Sequence, residues 1–282
     1  MSWALVLLAP PDELELLSAE LFELGALGVE LQDSGMPLMP GTPALPEGRG
    51  RVIAHFDARS DAAAAAQELG AEPPVEIAAQ DWSVAWRAHH HTMKVGPRSW
   101  VYPPWEPAPD GIAVAIDPGM AFGTGSHPTT SLCLEACDEL LALRPGADLL
   151  DVGTGSGVIA MLAVKLGAGR VAGTENDLVA LQAAREGAAL NAIAGGRIEW
   201  LLRDPADVPG QFGIVIANIL LNTLEELADQ IAAKVAPRGR LVLSGLLADQ
   251  GDAASSAYAT QGLREIARKE REGWIRVELE RP

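Results

Sequence analysis

Asp151-Val152-Gly153-Thr154-Gly155-Ser156-Gly157 follows an apolar run and precedes a helical pattern. Glycine at three alternate positions lets the chain turn sharply and brings its backbone close to a ligand. Alone, such a turn is weak evidence, because α/β proteins also use it structurally. Its context sharpens it: the next apolar run ends at Glu175, 22 residues after Gly153. A carboxylate there can accept hydrogen bonds from both hydroxyls of a bound ribose. The dinucleotide form of the turn, G-x-G-x-x-G, seats a pyrophosphate on the N-terminus of the following helix. Here the third glycine comes one residue early and Asp151 stands before the turn. An acidic group in that place repels a diphosphate and suits a cation.

S-adenosylmethionine fits that charge pattern better than NAD, since it carries an ammonium and a sulfonium and no phosphate. Two further segments could serve such a ligand. Asp117 to Thr130 holds three glycines in seven residues and runs into a helix beginning near Pro128, with Thr129 and Thr130 in its first turn. A loop of this kind closes over a ligand, and Phe122, beside Gly123 and Thr124, offers an aromatic face to an adenine or a methylene chain. Its bland reading is a helix-capping loop. Val215-Ile216-Ala217-Asn218 is an apolar strand that ends in a lone Asn. Ligands of open α/β sheets bind outside the carboxyl ends of strands, so the Asn218 amide oxygen is placed to accept an N–H from an incoming amine. Capping the next helix is its ordinary alternative.

The elements that would position these residues can be read from the spacing. Strand-like runs at Leu149–Val152, Arg170–Thr174, Ile198–Leu202, Gly213–Ala217 and Leu241–Ser244 alternate with helical stretches at 157–166, 177–191 and 219–235. That rhythm predicts an α/β fold with a doubly wound, mainly parallel, Rossmann-like sheet. Leu263–Lys269 and Trp274–Leu279 read as an antiparallel hairpin closing its edge. The first eighty or so residues run β-α-β-β-α-β, with strands at Trp3–Ala9, Val29–Asp33, Arg51–Phe56 and Val75–Ala79 and helices at Asp12–Leu24 and Ser60–Leu69. This is the split pattern of a small ferredoxin-like α+β domain. The expected division is residues 1–80, a linker at 81–110 rich in Trp and Pro, and the larger domain at 111–282.

Charge and composition remove several classes. The chain has 282 residues, 21 Lys and Arg against 38 Asp and Glu, and a formal net charge of −17. A nucleic-acid or anionic-membrane binder carries a basic face, so neither is expected. Residues 1–93 hold 14 acidic and 4 basic side chains, which makes the small domain the more acidic surface and a candidate dock for a basic protein. The N-terminal apolar run stops at Pro10-Pro11, too short for a spanning helix and without the basic region of a signal peptide. Cys133 and Cys137 lie one helical turn apart and read as buried apolar residues. His89-His90-His91 diverge in direction and read as surface or hinge histidines, so no metal site is expected. A reducing, cytoplasmic compartment follows from the cysteine usage.

Ala121–Thr130, Leu150–Gly157 with Glu175, and Ala217-Asn218-Ile219-Leu220, together with Leu24–Glu30 and the Trp82/Trp86 segment, resemble the PrmA family. These are class I S-adenosylmethionine-dependent methyltransferases of ribosomal protein L11. The resemblance spans nearly the whole chain. It implies a small substrate-recognition domain, a linker and a catalytic domain that methylates lysine or N-terminal amino groups of that protein. Its cofactor positions fall on Thr130, Gly153, Gly155, Glu175 and Asn218, with Phe122, Gly123 and Thr124 as cover and with Asn218 and Phe122 at the reacting centre. One departure stands out: the family usually reads Asp-x-Asp-Pro where this chain has Glu175-Asn176-Asp177-Leu178. The competing readings are a methyltransferase of another protein or a small molecule, a dehydrogenase that uses only the glycine turn and Glu175, and a non-catalytic cofactor-binding adaptor.

Overall fold

The structure, a computed structural model, describes residues 2–10, 13–32, 45, 48–77, 90–117 and 127–282. Contacts divide the chain into two compact units, Met1–Ala88 and His89–Pro282. Phe122, Gly123, Thr124, Trp82, Trp86, His89 and most of the Pro-rich stretch 34–50 lie outside the described residues.

The first unit comprises β1 (Ser2–Ala9), α1 (Leu14–Glu23), β2 (Gly28–Gln32), β3 (Gly50–Phe56), α2 (Arg59–Glu68) and β4 (Val75–Ile77). Its antiparallel sheet runs β2-β3-β1-β4, the order a ferredoxin-like unit requires. Alternate strand residues, Leu5 and Ala9 of β1 with Val52, Ala54 and Phe56 of β3, face Leu14, Leu21, Ala62, Ala65 and Ala66 of the helices. The alanine run of α2 is thereby explained as a close-packing face.

The second unit opens with β5 (Met93–Lys94), β6 (Ser99–Tyr102) and β7 (Ile112–Ala115), a small three-stranded sheet whose first two strands come from residues expected to be linker. Runs of two to four residues are too short to show a period in sequence. Within it, Thr92 and His91 bond the Glu106 carboxyl, and these bonds hold it down at about 2, the Thr92 hydroxyl contributing most.

An anchor joins this sheet to α3 (Pro128–Leu143). Asp138 is fully buried and accepts from Arg98 N at 2.7 Å, Arg98 Nε at 2.7 Å and Ser99 Oγ at 2.9 Å. Asp138→Ala removes the acceptor of Arg98 N, Arg98 Nε and Ser99 Oγ while the Arg98 Nη2 bond to the residue 138 carbonyl remains, and the expected loss is about 3 kcal/mol in urea unfolding, the low end for a broken buried pair because Arg98 is half exposed.

The main sheet comprises β8 (Leu149–Val152), β9 (Val171–Glu175), β10 (Glu199–Leu202), β11 (Phe212–Asn218), β12 (Val235–Leu247), β13 (Arg264–Arg271) and β14 (Trp274–Glu280), in the order β10-β9-β8-β11-β12-β14-β13. Strands β8 to β12 are parallel, and β14 runs antiparallel against both β12 and β13. Leu149, Ile214, Ile216 and Val242 point to one face, where α3 and α4 (Val158–Lys165) pack. Leu150, Val152, Val215, Ala217, Leu241 and Leu243 point to the other. That second face is covered by α6 (Leu221–Glu226), α7 (Ala228–Ala233) and α8 (Gly251–Ala259), while α5 (Leu178–Leu190) follows β9.

Two expectations change here. The single helix over 219–235 is two short helices that meet at Leu227. α8 was not foreseen, because its buried side chains are Ala254 and Tyr258, too few to mark a period; the Tyr258 hydroxyl donates to Leu224 O at 3.0 Å. The expected edge hairpin is present, and Glu272 (φ 53°) with Gly273 (φ 78°) forms the two-residue turn that sets Arg271 opposite Trp274.

Candidate active site

The strand order reverses between β8 and β11, and the two run parallel with Val152 beside Ala217. The chain therefore leaves both strands at one end, where α/β sheets bind ligands. Gly153 leaves β8 at φ 66°, followed by Gly155 at 52° and Gly157 at 77°, all in the left-handed region that glycine adopts freely. A Cβ on Gly153 would collide with the Ile219 side chain. The sharp turn expected from the sequence is thus present, and the Ile219 side chain beyond the neighbouring strand adds a second demand for glycine that the sequence did not show.

Glu175 reaches the same turn. One of its oxygens accepts from Gly155 N at 2.9 Å, and the other from Asn176 N at 2.8 Å and Asp177 N at 3.3 Å. Asp177 caps α5 by accepting from Val179 N at 2.8 Å, so the helix start is secured without the proline usual in the family. A small cavity of about 90 Å³ lies here, lined by Gly153, Glu175, Asn176, Arg203, Asp204 and Ile219 among others. Arg203 and Asp204 were not singled out in the sequence, although they follow β10 at the same strand-end edge.

Asp151 is buried beneath the turn. One oxygen accepts from Thr154 Oγ1 at 2.6 Å and Ala160 N at 3.3 Å, and the other finds no partner among the described residues. Burial pushes this carboxyl up to about 7, against the two hydrogen bonds that lower it. Because the folded value lies above the unfolded one, the protonated acid is the favoured native form. Its contribution to stability is full below about pH 4 and is lost as pH rises through about 7. Asp151→Asn retains an acceptor for Thr154 and Ala160 and removes the titration. Urea midpoints between pH 4 and 8 should therefore fall for the wild type and fall distinctly less for the variant.

Asn218 ends β11. Its Nδ2 donates to Thr130 Oγ1 at 3.3 Å, which joins two of the expected site residues, while its buried Oδ1 has no partner among the described residues. A larger cavity of about 530 Å³ opens beside it, lined by His127, Thr129, Asn218, Ile219, Leu220, Thr223, Gly245 and Trp274. Gly245 (φ 82°) sits in the β12 irregularity, where a Cβ would lie 2.5 Å from Ile219 O, so β12 presses directly on the 218–220 segment. His127 caps α3 through Nδ1, and its ring meets Trp274 edge to face at 4.8 Å. Trp274 read in sequence only as a strand residue; its place beside a hairpin turn was the available signal.

The site residues suit a cationic nucleoside. Glu175 lies at the turn and Asn218 supplies an unpaired acceptor, whereas Asp151, buried beneath the turn and pushed up to about 7, does not provide the fixed negative charge expected of it. Thr130, Gly153, Gly155, Glu175 and Asn218 all belong to the same sheet end or the first turn of α3. Among the described residues no cluster of three or more metal-ligating side chains occurs. Cys133 and Cys137 are buried, with thiols pushed up by desolvation.

The profile of the family described as ribosomal protein L11 methyltransferase (PrmA) matches residues 2–282. A ribosomal protein L11 methyltransferase of Myxococcus xanthus is 43% identical over 281 residues, covering 96% of this chain and 96% of that protein. The one from Azotobacter vinelandii is 42% identical and covers 99% of each. A crystal structure of a ribosomal protein L11 methylase from Lactobacillus delbrueckii subsp. bulgaricus aligns with a TM-score of 0.61 at 31% identity, over 68% of this chain and 99% of that one. With a whole-length profile match and relatives of this identity, the chain belongs to the PrmA family of ribosomal protein L11 methyltransferases.

Proposed function

We propose that the protein transfers methyl groups from S-adenosylmethionine to lysine or N-terminal amino groups of ribosomal protein L11. The observation that carries the chemistry is the unpaired buried Oδ1 of Asn218, whose Nδ2 donates to Thr130 Oγ1 at the strand end beside the glycine turn. The cofactor supplies a methyl group on a sulfonium that departs as a neutral thioether.

The chain supplies binding and alignment. Glu175, fixed at the turn by Gly155 N on one oxygen and by Asn176 N and Asp177 N on the other, takes the ribose hydroxyls on its remaining lone pairs. Asn218 Oδ1 accepts an N–H of the attacking amine and points its lone pair along the line of displacement, and alignment of this kind lowers a barrier by several kcal/mol. The amine must first lose a proton; an apolar surround favours its neutral form. Phe122, Gly123 and Thr124 are assigned the cofactor cover from the glycine-rich sequence of their loop. Residues 1–80 serve as the recognition domain, residues 81–110 join it to the catalytic residues 111–282, and the acidic charge of the first segment attracts a basic ribosomal protein. The reaction belongs to the cytoplasm.

Purified L11 incubated with the protein and S-adenosylmethionine should gain methyl mass, with the modified amines located by peptide mass spectrometry. Unmodified L11 would refute the reading and favour the adaptor. Within the site, Glu175→Ala removes hydrogen bonds to the ribose, each worth roughly 1.5–3 kcal/mol before water compensates. Cofactor affinity in calorimetry should fall about tenfold or more.

A further inference from the structure

Strand β12 breaks its pairing with β14 at Ser244-Gly245. The pairs run from Leu243 opposite Val277 to Leu246 opposite Ile275, so Ser244 and Gly245 together face Arg276 alone. Such a bulge bends a strand, re-aims a side chain and leaves one residue out of the ladder. The core shows the same shift. Leu241 and Leu243 point to the face covered by α6 to α8 and Val242 to the face of α3, yet Leu246 returns to the first of these, which regular alternation would forbid.

The bulge lies directly beside Asn218, which pairs with Ser244 at the end of the β11 ladder. Each of its two residues touches a neighbour of that side chain. Gly245 (φ 82°) has no room for a Cβ, which would lie 2.5 Å from Ile219 O and 3.0 Å from Ile219 N, the first atom after Asn218. Ser244 is fully buried, and its hydroxyl lies 3.3 Å from Thr129 O and 3.3 Å from Ile275 O. Thr130, the next residue of that helix turn, accepts from Asn218 Nδ2.

We propose that the Ser244-Gly245 bulge positions Asn218 for transfer: Gly245 sets the peptide that follows Asn218, and Ser244 sets the helix turn that carries its partner Thr130. The inference rests on the proposed methyl transfer, in which Asn218 aligns the amine. One side-chain hydrogen bond among the described residues is a weak hold for an amide that must aim a lone pair. Fixing both its backbone and its partner from one neighbouring strand removes that freedom before the substrate arrives. Neither bulge residue is asked to touch the substrate.

Gly245→Ala and Ser244→Ala in the full-length protein, each made alone and together with Asn218→Ala, test this with L11 as substrate. Gly245→Ala should cut kcat by about 30-fold and Ser244→Ala by about 10-fold, with KM for L11 and calorimetric cofactor affinity within about threefold of wild type. A positioning residue acts only through the group it positions. In the Asn218→Ala background each substitution should therefore cost less than about twofold more. Equal losses in both backgrounds, a loss carried by KM alone, or wild-type kcat in Ser244→Ala overturns the proposal. If Gly245→Ala does not fold, Ser244→Ala, which deletes a single oxygen, decides through the same cycle. Wild-type kcat in Asn218→Ala also overturns it. Wild-type protein that transfers no methyl group to L11 would instead remove the proposed function, and the positioning role with it.

Discussion

Removing residues 1–80 is expected to abolish methylation of ribosomal protein L11 while leaving S-adenosylmethionine affinity nearly unchanged. The second unit carries its own two-faced core, with Leu149, Ile214 and Ile216 on one side and Leu150, Val215 and Ala217 on the other. Every described site residue, from Thr130 to Asn218, lies within that unit. Cofactor binding therefore has what it needs. Protein recognition loses the 14 acidic and 4 basic side chains of residues 1–93 almost entirely, and with them the field that steers a basic partner. A fall in kcat/KM for L11 of about 100-fold or more, with calorimetric cofactor affinity retained, is the expected outcome. In the intact protein, raising salt should slow association, since screening sets in beyond about 8 Å at physiological ionic strength. Normal methylation by the truncated protein would place recognition in the catalytic unit.

Asn218→Ala should cut kcat by roughly 100-fold or more while the cofactor still binds, because a misaligned nucleophile costs rate even when both reactants are present. The Asn218 side chain touches Thr130 and otherwise offers an unsatisfied oxygen. Its loss removes little packing, so the melting temperature should hold. Single-turnover methylation of L11, compared with cofactor affinity, separates the two effects. A variant with wild-type kcat would reduce Asn218 to a strand-end partner of Thr130.

Much of this arrangement was legible in the residues. The glycine turn, Glu175 and Asn218 could be placed because each ends or follows a continuous apolar run, the mark of a parallel strand buried on both faces. The doubly wound sheet followed from such runs alternating with helical stretches, and the ferredoxin-like order from the sequence of strands and helices in the first eighty residues. What escaped was structure without a period. β5, β6 and β7 are short, and α8 buries two side chains one turn apart. The place of Trp274 in the cavity wall escaped for a different reason. Its contact with His127 joins residues 147 apart in the chain, a pairing that only the folded sheet creates. Gly153 shows a subtler miss: the correct residue was singled out, yet the atom that forbids a side chain belongs to Ile219.

The placement of β14 has a consequence for how the chain matures. Although β14 follows β13 in sequence, it lies inside the sheet, between β12 and β13. Until it arrives, the long strand β12 presents an open row of backbone donors and acceptors, the kind of edge that recruits other chains. The tight Glu272-Gly273 turn lets β13 and β14 pair locally on a microsecond timescale and dock as a ready-made ribbon. The hairpin that brings Trp274 to the cavity is therefore also the element that covers the β12 edge, so the same ribbon completes the cavity wall and guards against edge-to-edge association.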